Sequence, residues 1–500
     1  MNFKINDQII MKTKIIHRRI VSRIKLLGIG SIFLFTSCTK NLLDAVPQTT
    51  IAGSTAFSSS DKILAQVNAF YSQLESSSFY GGGFIVNNEQ RGDEFSQNDG
   101  NNSTGANVWN QTITASGSYV NSVWSAAYTA INSVNIFIAN VTGSTLISDS
   151  LKKNYLAEAK FVRGFAYLNL VQAYAKPYAL DSTSLALPLR LSPEISGGDN
   201  SLAFSSVAAV YKQIISDLND AEAGLPVGYS TALLNVSRAT KSAAIALKTR
   251  VYLIKGDYTD VIAEATKIVS ATAPFQYTAG TVTHKLESNI ATVFGGSYTG
   301  NEAIFSLPFV NASEAPGNQS ALAYNYLYPI LYLNTAAIVS DTVFSSSTSV
   351  DARKSLVKTN ASGQKILNKF SHNSVPYNDY IPVIRYAEVL LNYAEASSAT
   401  GNLATATALL KAVRNRSNPN AVLQAASIST QAALSTTIFN ERRIELLGEG
   451  FRLFDLLRTV QTLPAKIGNA GTAPSVLPTA SNYVWPVPSG EIAYNTLAPQ

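Results

Sequence analysis

"IRYAEVLLNYAEASSATGNLATATALLKAVRNR", residues 384–416, divides into two apolar-patterned helical segments around a Gly401-Asn402 turn. Glycine readily takes the left-handed backbone that ends a helix, so the pattern predicts a pair of antiparallel helices closed by a tight turn. Small residues at their crossing let the two backbones approach. Each such pair has an apolar face that is buried only by stacking on another pair. A second stretch, "SAAIALKTRVYLIKGDYTDVIAEATKIV" at 242–269, repeats the layout, with Ala244, Leu247, Tyr252 and Leu253 before a Gly256-Asp257 turn and Tyr258 and Ala265 after it.

Helical signals extend outward from these two hairpins. Leu64, Val67 and Tyr71 recur at helical spacing after the N-cap candidates Ser59 and Ser60, and Trp124, Tyr128, Ile131 and Asn135 fall on one helical face. "YLAEAKFVRGFAYLNLVQAYAKPY" (155–178) is apolar around most of its circumference and stops at Pro177. "SSVAAVYKQIISDLNDAEAGLP" (205–226) closes at Gly224 and Pro226. Between the helices lie two long loop readings. One runs from Ser76 to Gly117 and contains "YGGGF", "RGDEF" and "SQNDGNNSTGANVW"; the other, 271–378, is rich in Ser, Thr, Gly and Tyr with short β-like pieces such as "EAIFSLPF". The expectation is a mainly α chain in which long irregular loops interrupt the stacked pairs and carry the function.

The amino-terminal 37 residues read differently. Lys12, Lys14, Arg18, Arg19, Arg23 and Lys25 precede a short apolar run, Leu26 to Phe35, then Thr36, Ser37 and Cys38, the only cysteine in 500 residues. A basic segment, an apolar run too short to span a bilayer and a cysteine after small residues make a lipoprotein signal, with Cys38 as the acylated first residue of the mature chain. Phe35 stands where such signals usually carry Leu. Met1 and Met11 are the only methionines, and both are candidate starts. The sequence therefore divides into a signal (1–37), a tether and extended lead-in (38–60) and one domain (61–500). That domain has an N-terminal part to about 270, a loop-rich part over 271–378 and a C-terminal helical part over 379–500.

Removing the signal changes the electrostatic reading. The full chain carries +6, but residues 1–37 hold seven Lys or Arg and one acid, which leaves 31 basic and 31 acidic groups. A neutral chain with 14% charged and 10% aromatic residues points away from nucleic acid and towards neutral ligands.

Catalytic and metal motifs are absent. The "GIGSIF" stretch lies in the signal, and no Walker loop, HExxH or GxSxG occurs. His284 and His372 are far apart with no cysteine beside them. "DGNNSTG" from Asp99 begins like a calcium loop but has Thr104 where the sharp turn needs Gly and Asn110 where a bidentate Glu belongs. Glu441, Glu445 and Glu449 repeat at i, i+4 and i+8 beside Arg442, Arg443, Arg452, Asp455 and Arg458. This spacing predicts ion pairing and clamping of neighbouring helices, with Arg443 and Glu445 as scaffold.

The blocks "AEAKFVRGFAYLNLVQAY" (157–174), "SVAAVYKQIISDLNDAEAGLP" (206–226), "NEAIFSLPF" (301–309), "YIPVIRYAEVLLNYAEA" (380–396), "NERRIELLGEGFRLFDLLR" (440–458) and "WPVPSGEIAYNT" (485–496) resemble, in the same order, those of the SusD/RagB family, over Cys38 to Gln500. The hairpins at 242–269 and 384–416 resemble tetratricopeptide units. The resemblance implies a SusD-like fold of about four tetratricopeptide-like helix pairs under a loop-rich ligand face. It also implies a non-enzymatic, lipid-anchored outer-membrane protein of Bacteroidetes that captures oligosaccharides, without a cofactor, for a TonB-dependent SusC-type transporter. A peptide or another nutrient is the alternative cargo.

A sugar offers a C–H face for stacking and hydroxyls for amide or charged partners. Two loop regions supply both kinds of group. The first has Arg91, Asp93, Asn98, Asp99, Asn101 and Trp109; the second, "AYNYLYPILY", has Tyr324, Tyr326, Tyr328 and Tyr332. The ligand-contact expectation rests on Trp109, Arg91, Asp93, Asn98, Asn101, Tyr324, Tyr326 and Tyr328.

Overall fold

Helices of seven or more residues among the described residues are α1 (Ser60–Leu74), α2 (Gly83–Arg91), α3 (Ser118–Val141), α4 (Asp149–Tyr174), α5 (Val207–Gly224), α6 (Lys241–Lys255), α7 (Tyr258–Ala265), α8 (Tyr386–Ala399), α9 (Leu403–Ser417), α10 (Gln431–Glu445) and α11 (Arg452–Arg458). The computed structural model describes residues 55–499 apart from 196 and 297. Met1, Met11, the signal, Cys38 and most of the tether lie outside the described residues. From Ser59 onward the chain forms one compact unit.

The hairpin turns follow the sequence reading. Gly256 and Gly401 adopt left-handed φ of 73° and 85°, and each turns one helix onto the next. Packing then runs along the chain: α3 on α4, α4 on α5, α5 on α6, α6 on α7, α7 on α8, and α8 on both α9 and α10. Small residues set the approach of α4 and α5. A β-carbon on Gly224 would lie 2.6 Å from that of Ala157, and the Arg163–Asp217 ion pair at 2.7 Å joins the same two helices. Short two-stranded ribbons complete a mainly helical fold, the longest pairing Ala303–Leu307 with Ile381–Arg385.

The reading of 76–117 as loop is corrected. It contains α2, the short helix Ala106–Trp109 and the strand Phe95–Gln97. Phe84 through Arg91 of α2 are all buried, polar and apolar alike, so the helix has no solvent face from which a hydrophobic period could be read. Gly82 precedes it at φ 121°, where a β-carbon would collide with Ser320 O.

Charges in the 440–458 block organise the loop-rich region. Glu445 is fully enclosed by Arg353, Arg385 and Arg416; Glu441 joins Arg353 and Arg414; Glu449 joins Arg385 at 2.7 Å and Lys369 at 2.6 Å. Glu302 pairs with Arg385 and, at 2.8 Å, with Arg416, and Asp351 pairs with Arg353 at 2.7 Å. Five cations therefore meet five carboxylates in one connected buried cluster. The partner cations come from other elements: a strand end, a loop, the short 3-10 helix Ala352–Leu356 and α9. The i, i+4 spacing of the three glutamates places them along one face, but no pair forms among the block's own neighbours at that spacing. Burial alone would push the Glu445 carboxyl up, yet Arg416, Arg385, Arg353 and Lys369 together hold it well below the usual carboxylate range.

Removing one partner from this cluster leaves a buried charge uncompensated. Arg385→Met or Glu445→Ala is expected to cost about 3–5 kcal/mol of stability, read as a lowered melting temperature. A depressed folded-state pKa means that the stabilisation is present above the ordinary glutamate value of about 4.3 and is lost as pH falls below it. Melting temperature measured from pH 7 to pH 3 should drop steeply for the wild type and less so for Glu445→Gln. Equal slopes would show that this carboxylate does not govern acid unfolding.

Candidate ligand surface

The two loop regions singled out in the sequence are brought together by one strand pair. Phe95–Gln97 lies antiparallel to Leu331–Leu333, with Phe95 opposite Leu333, Ser96 opposite Tyr332 and Gln97 opposite Leu331. Side chains alternate along a strand, so Leu331 and Leu333 are buried while Tyr332 turns to the other face and is half-exposed. A hairpin of Lys466–Gly468 and Gly471–Ala473 packs beside this ribbon. Ser96 Oγ donates to Ile467 O at 2.6 Å, and Ala470 N donates to Gln97 O at 3.0 Å. Gly468 is required at the contact, because a β-carbon there would lie 2.7 Å from Gln97 O.

This packing sets a small mixed surface. Asn469, at the hairpin tip, donates from its backbone N to Tyr332 Oη at 3.0 Å and from Nδ2 to Asn98 Oδ1 at 2.8 Å. Gln364 Nε2 also donates to Asn98 Oδ1, at 3.3 Å. Tyr332 and three amide side chains thus share one neutral patch at the surface. Further along the same segment, Tyr328 is 50% exposed and pairs with Tyr324 at a ring separation of 5.2 Å; Tyr324 in turn meets Tyr377 edge-on at 5.7 Å.

Several expected contact residues have no face to offer a ligand. Trp109 is fully buried, donates from Nε1 to Phe95 O at 3.0 Å and lies over the Lys466 ammonium. Tyr326 is also buried, stacked on Phe95 at 5.1 Å, with its hydroxyl donating to Gly448 O at 3.1 Å. In the short helix Leu322–Leu327, positions four apart share a side and positions two apart do not. Tyr324 and Tyr328 therefore face outward while Tyr326 faces in. Arg91 is buried, held by Gln111 Oε1 at 3.0 Å and Tyr483 O at 3.2 Å, and burial lowers its guanidinium to about 9. Asp93 is gripped by both nitrogens of the Arg452 fork, at 2.6 and 3.0 Å. Of the first loop, Asn98 alone joins the Tyr332 patch. Asn101 is exposed and caps its own turn, accepting from Ser103 N at 2.9 Å.

The buried residues position the patch. Lys466 Nζ donates to Gly92 O at 2.6 Å and to the Gln90 carbonyl, and its burial pushes the ammonium down to about 7. Arg443 pairs with Glu94 beside the Arg452–Asp93 fork, so the strand carrying Ser96 is fixed from below by the carboxy-terminal block.

A further aromatic group was not anticipated. Tyr298 stacks on Tyr380 at 4.6 Å and donates its hydroxyl to Asp379 Oδ1 at 2.8 Å, and exposed His372 Nδ1 lies 3.0 Å from the same oxygen. The available signal was the pair of tyrosines flanking Asn378-Asp379. His284, by contrast, is buried between the rings of Tyr277 and Tyr386, and burial lowers its imidazole to about 4. The loop at Asp99 closes on itself, with Asp99 Oδ1 accepting from Asn101 N and Thr104 Oγ1. Among the described residues, no group of three or more His, Cys, Asp or Glu is placed to hold a metal, and no helix is long and apolar enough to cross a membrane.

Comparison with known proteins adds to this picture. Residues 342–499 match the SusD family model, and residues 42–253 match a model described as starch-binding associating with outer membrane. SusD-like protein P2 of Formosa agariphila is 25% identical over 91% of this chain and 94% of its own length, and SusD-like protein P25 of the same organism is 22% identical over 85% and 88%. A SusD superfamily crystal structure from Bacteroides fragilis aligns with a TM-score of 0.80 at 29% identity, covering 89% of this chain and 100% of that one. A laminarin-binding SusD-like protein shares the fold at a TM-score of 0.67 and 23% identity, covering 88% and 99%. With family-model matches over residues 42–253 and 342–499 and a SusD superfamily structure aligned over 89% of this chain, the protein is similar to proteins of the SusD/RagB family along most of the sequence.

Proposed function

We propose that the protein is a non-enzymatic surface lipoprotein, anchored through Cys38, that captures neutral oligosaccharides on the Tyr328–Tyr332 surface and delivers them to a TonB-dependent SusC-type outer-membrane transporter. The observation that carries the reading is the joining of Tyr332 to Asn98, Asn469 and Gln364. A tyrosine face takes the C–H side of a sugar ring while amides take its hydroxyls, and no charge in that set favours an ion. Tyr328, Tyr324 and the stacked Tyr298–Tyr380 pair extend the aromatic character across the loop-rich part. Glu441, Glu445 and Glu449 are each engaged by buried cations, which favours a binding role over acid–base catalysis.

Calorimetry against a glycan panel that includes starch fragments and laminarin tests this reading. Tyr328→Ala and Asn469→Ala are expected to weaken binding by about 1–2 kcal/mol each with an unchanged melting curve. Affinity should hardly vary with ionic strength, since the ligand is neutral. Trp109→Ala should instead lower stability by about 3–5 kcal/mol, because it empties a buried site. Peptides binding where every glycan fails, or binding that collapses with salt, would replace the sugar by a peptide or charged nutrient.

The anchor has its own test. Fractionation of cells producing Cys38→Ala should recover the protein outside the membrane fraction, since acyl chains on one residue supply the attachment. Retention on membranes after high-salt washing, in cells lacking the transporter, would rule out Cys38 as the anchor.

A further inference from the structure

The outward face of α3 borders three connected hollows. At its start, a pocket of about 130 Å³ lies between α2 and α3 and is lined by Gln90, Thr104, Ser122 and Gln319. Ser78 and Ser122 are shared with an open trough of about 640 Å³ that runs over Asn121, Ser125 and Thr129 of α3 opposite Gln73 of α1. Asn121, Ser125 and Thr129 are shared in turn with a groove of similar volume bordered by Tyr128, Arg190 and Glu491. From Ser118 to Asn132 the helix advances roughly 21 Å, the length of several sugar rings.

Two observations point to a ligand in this cleft. Gln90 is 1% exposed and lines the pocket. Its Nε2 is held by Gln97 Oε1 at 3.1 Å and Thr104 O at 2.6 Å, but its Oε1 has no partner. A buried amide oxygen without a donor is costly, and a small turn of the Gln90 amide towards the pocket would let a ligand hydroxyl satisfy it. The second is the chemistry of the lining. Hydroxyls and amides follow one another along α3 without a charge, and Arg190 at the far end is already paired with Glu194 and Glu491. An extended peptide would find no strand edge here, because the backbone groups of α3 bond within the helix. Thr104 lines the pocket and Asn98 joins the tyrosine surface, so the 98–104 segment borders both.

We propose that this cleft is a second binding segment, which takes the continuation of a neutral oligosaccharide too long for the Tyr328–Tyr332 surface. It rests on the oligosaccharide reading above. The test uses laminarin oligosaccharides, or whichever panel glycan binds, in a series of increasing length, titrated into wild type, Ser125→Trp and Asn469→Ala. Ser125 is exposed at the middle of the trough, so tryptophan blocks the path without entering the core. Wild-type affinity should rise with chain length. Ser125→Trp should lose about tenfold or more for long chains and nothing for short ones, whereas Asn469→Ala should weaken both. Hydrogen exchange of 72–78 should slow with long chains only, a readout that does not depend on a variant folding. Unchanged length dependence in Ser125→Trp, or no added protection at 72–78, overturns the cleft and leaves the tyrosine surface standing. If Ser125→Trp affects a peptide series and not the glycans, the occupant is a peptide and the proposal is wrong. Failure of every glycan at every length removes both readings.

Discussion

Glu445 holds three arginines from three different parts of the chain, and the loop-rich region has its shape because of it. Residues 302, 351–353, 369 and 385 have little local reason to converge. They carry Ser, Thr and Gly between short ribbons, and no helix period organises them. Compensation of buried charge does what local propensity does not. Because each cation in the cluster has its carboxylate, an alternative loop path would strand at least one charge in the interior, which excludes neighbouring conformations more strongly than apolar packing would.

The same economy of pairing extends to the tyrosine surface. Arg452 and Arg443 take Asp93 and Glu94, Lys466 takes the carbonyls of Gln90 and Gly92, and Trp109 closes over that ammonium. Apart from Asp99, which bonds within its own turn, the charged residues of the first loop face down into the C-terminal block. The neutral residues, Asn98 and its neighbours, are what is left facing solvent. A surface of amides and tyrosines on a rigid charged foundation is therefore one arrangement, in which the ion pairs fix the backbone and thereby fix the spacing of the neutral groups above.

How much of this was legible in the sequence depends on which interaction ruled each segment. The helix pairs were legible because their burial is one-sided or their turns are marked by Gly256 and Gly401. α2 was not, because a helix buried on every side leaves no period. The 440–458 block was legible as scaffold, although its partners were not, since ion pairs across 27 to 359 residues have no spacing rule. Site residues were the hardest. Charged and aromatic residues in a loop look alike whether they meet ligand or support it, and Trp109, Arg91, Asp93 and Tyr326 proved to be support. Alternation within "AYNYLYPILY" could have sorted Tyr326 from Tyr324 and Tyr328, had the segment been read as a helical turn and not as loop.

The hydrogen bonds among Asn98, Asn469, Gln364 and Tyr332 bear on how the surface would handle a ligand. These groups already satisfy one another, so a sugar hydroxyl arriving at Asn98 exchanges one bond for another and gains little from any single contact. Such a surface holds a chain by the number of weak contacts along it, each of which can be surrendered separately. The proposed hand-over of a captured chain would be better served by many shallow grips than by one deep one.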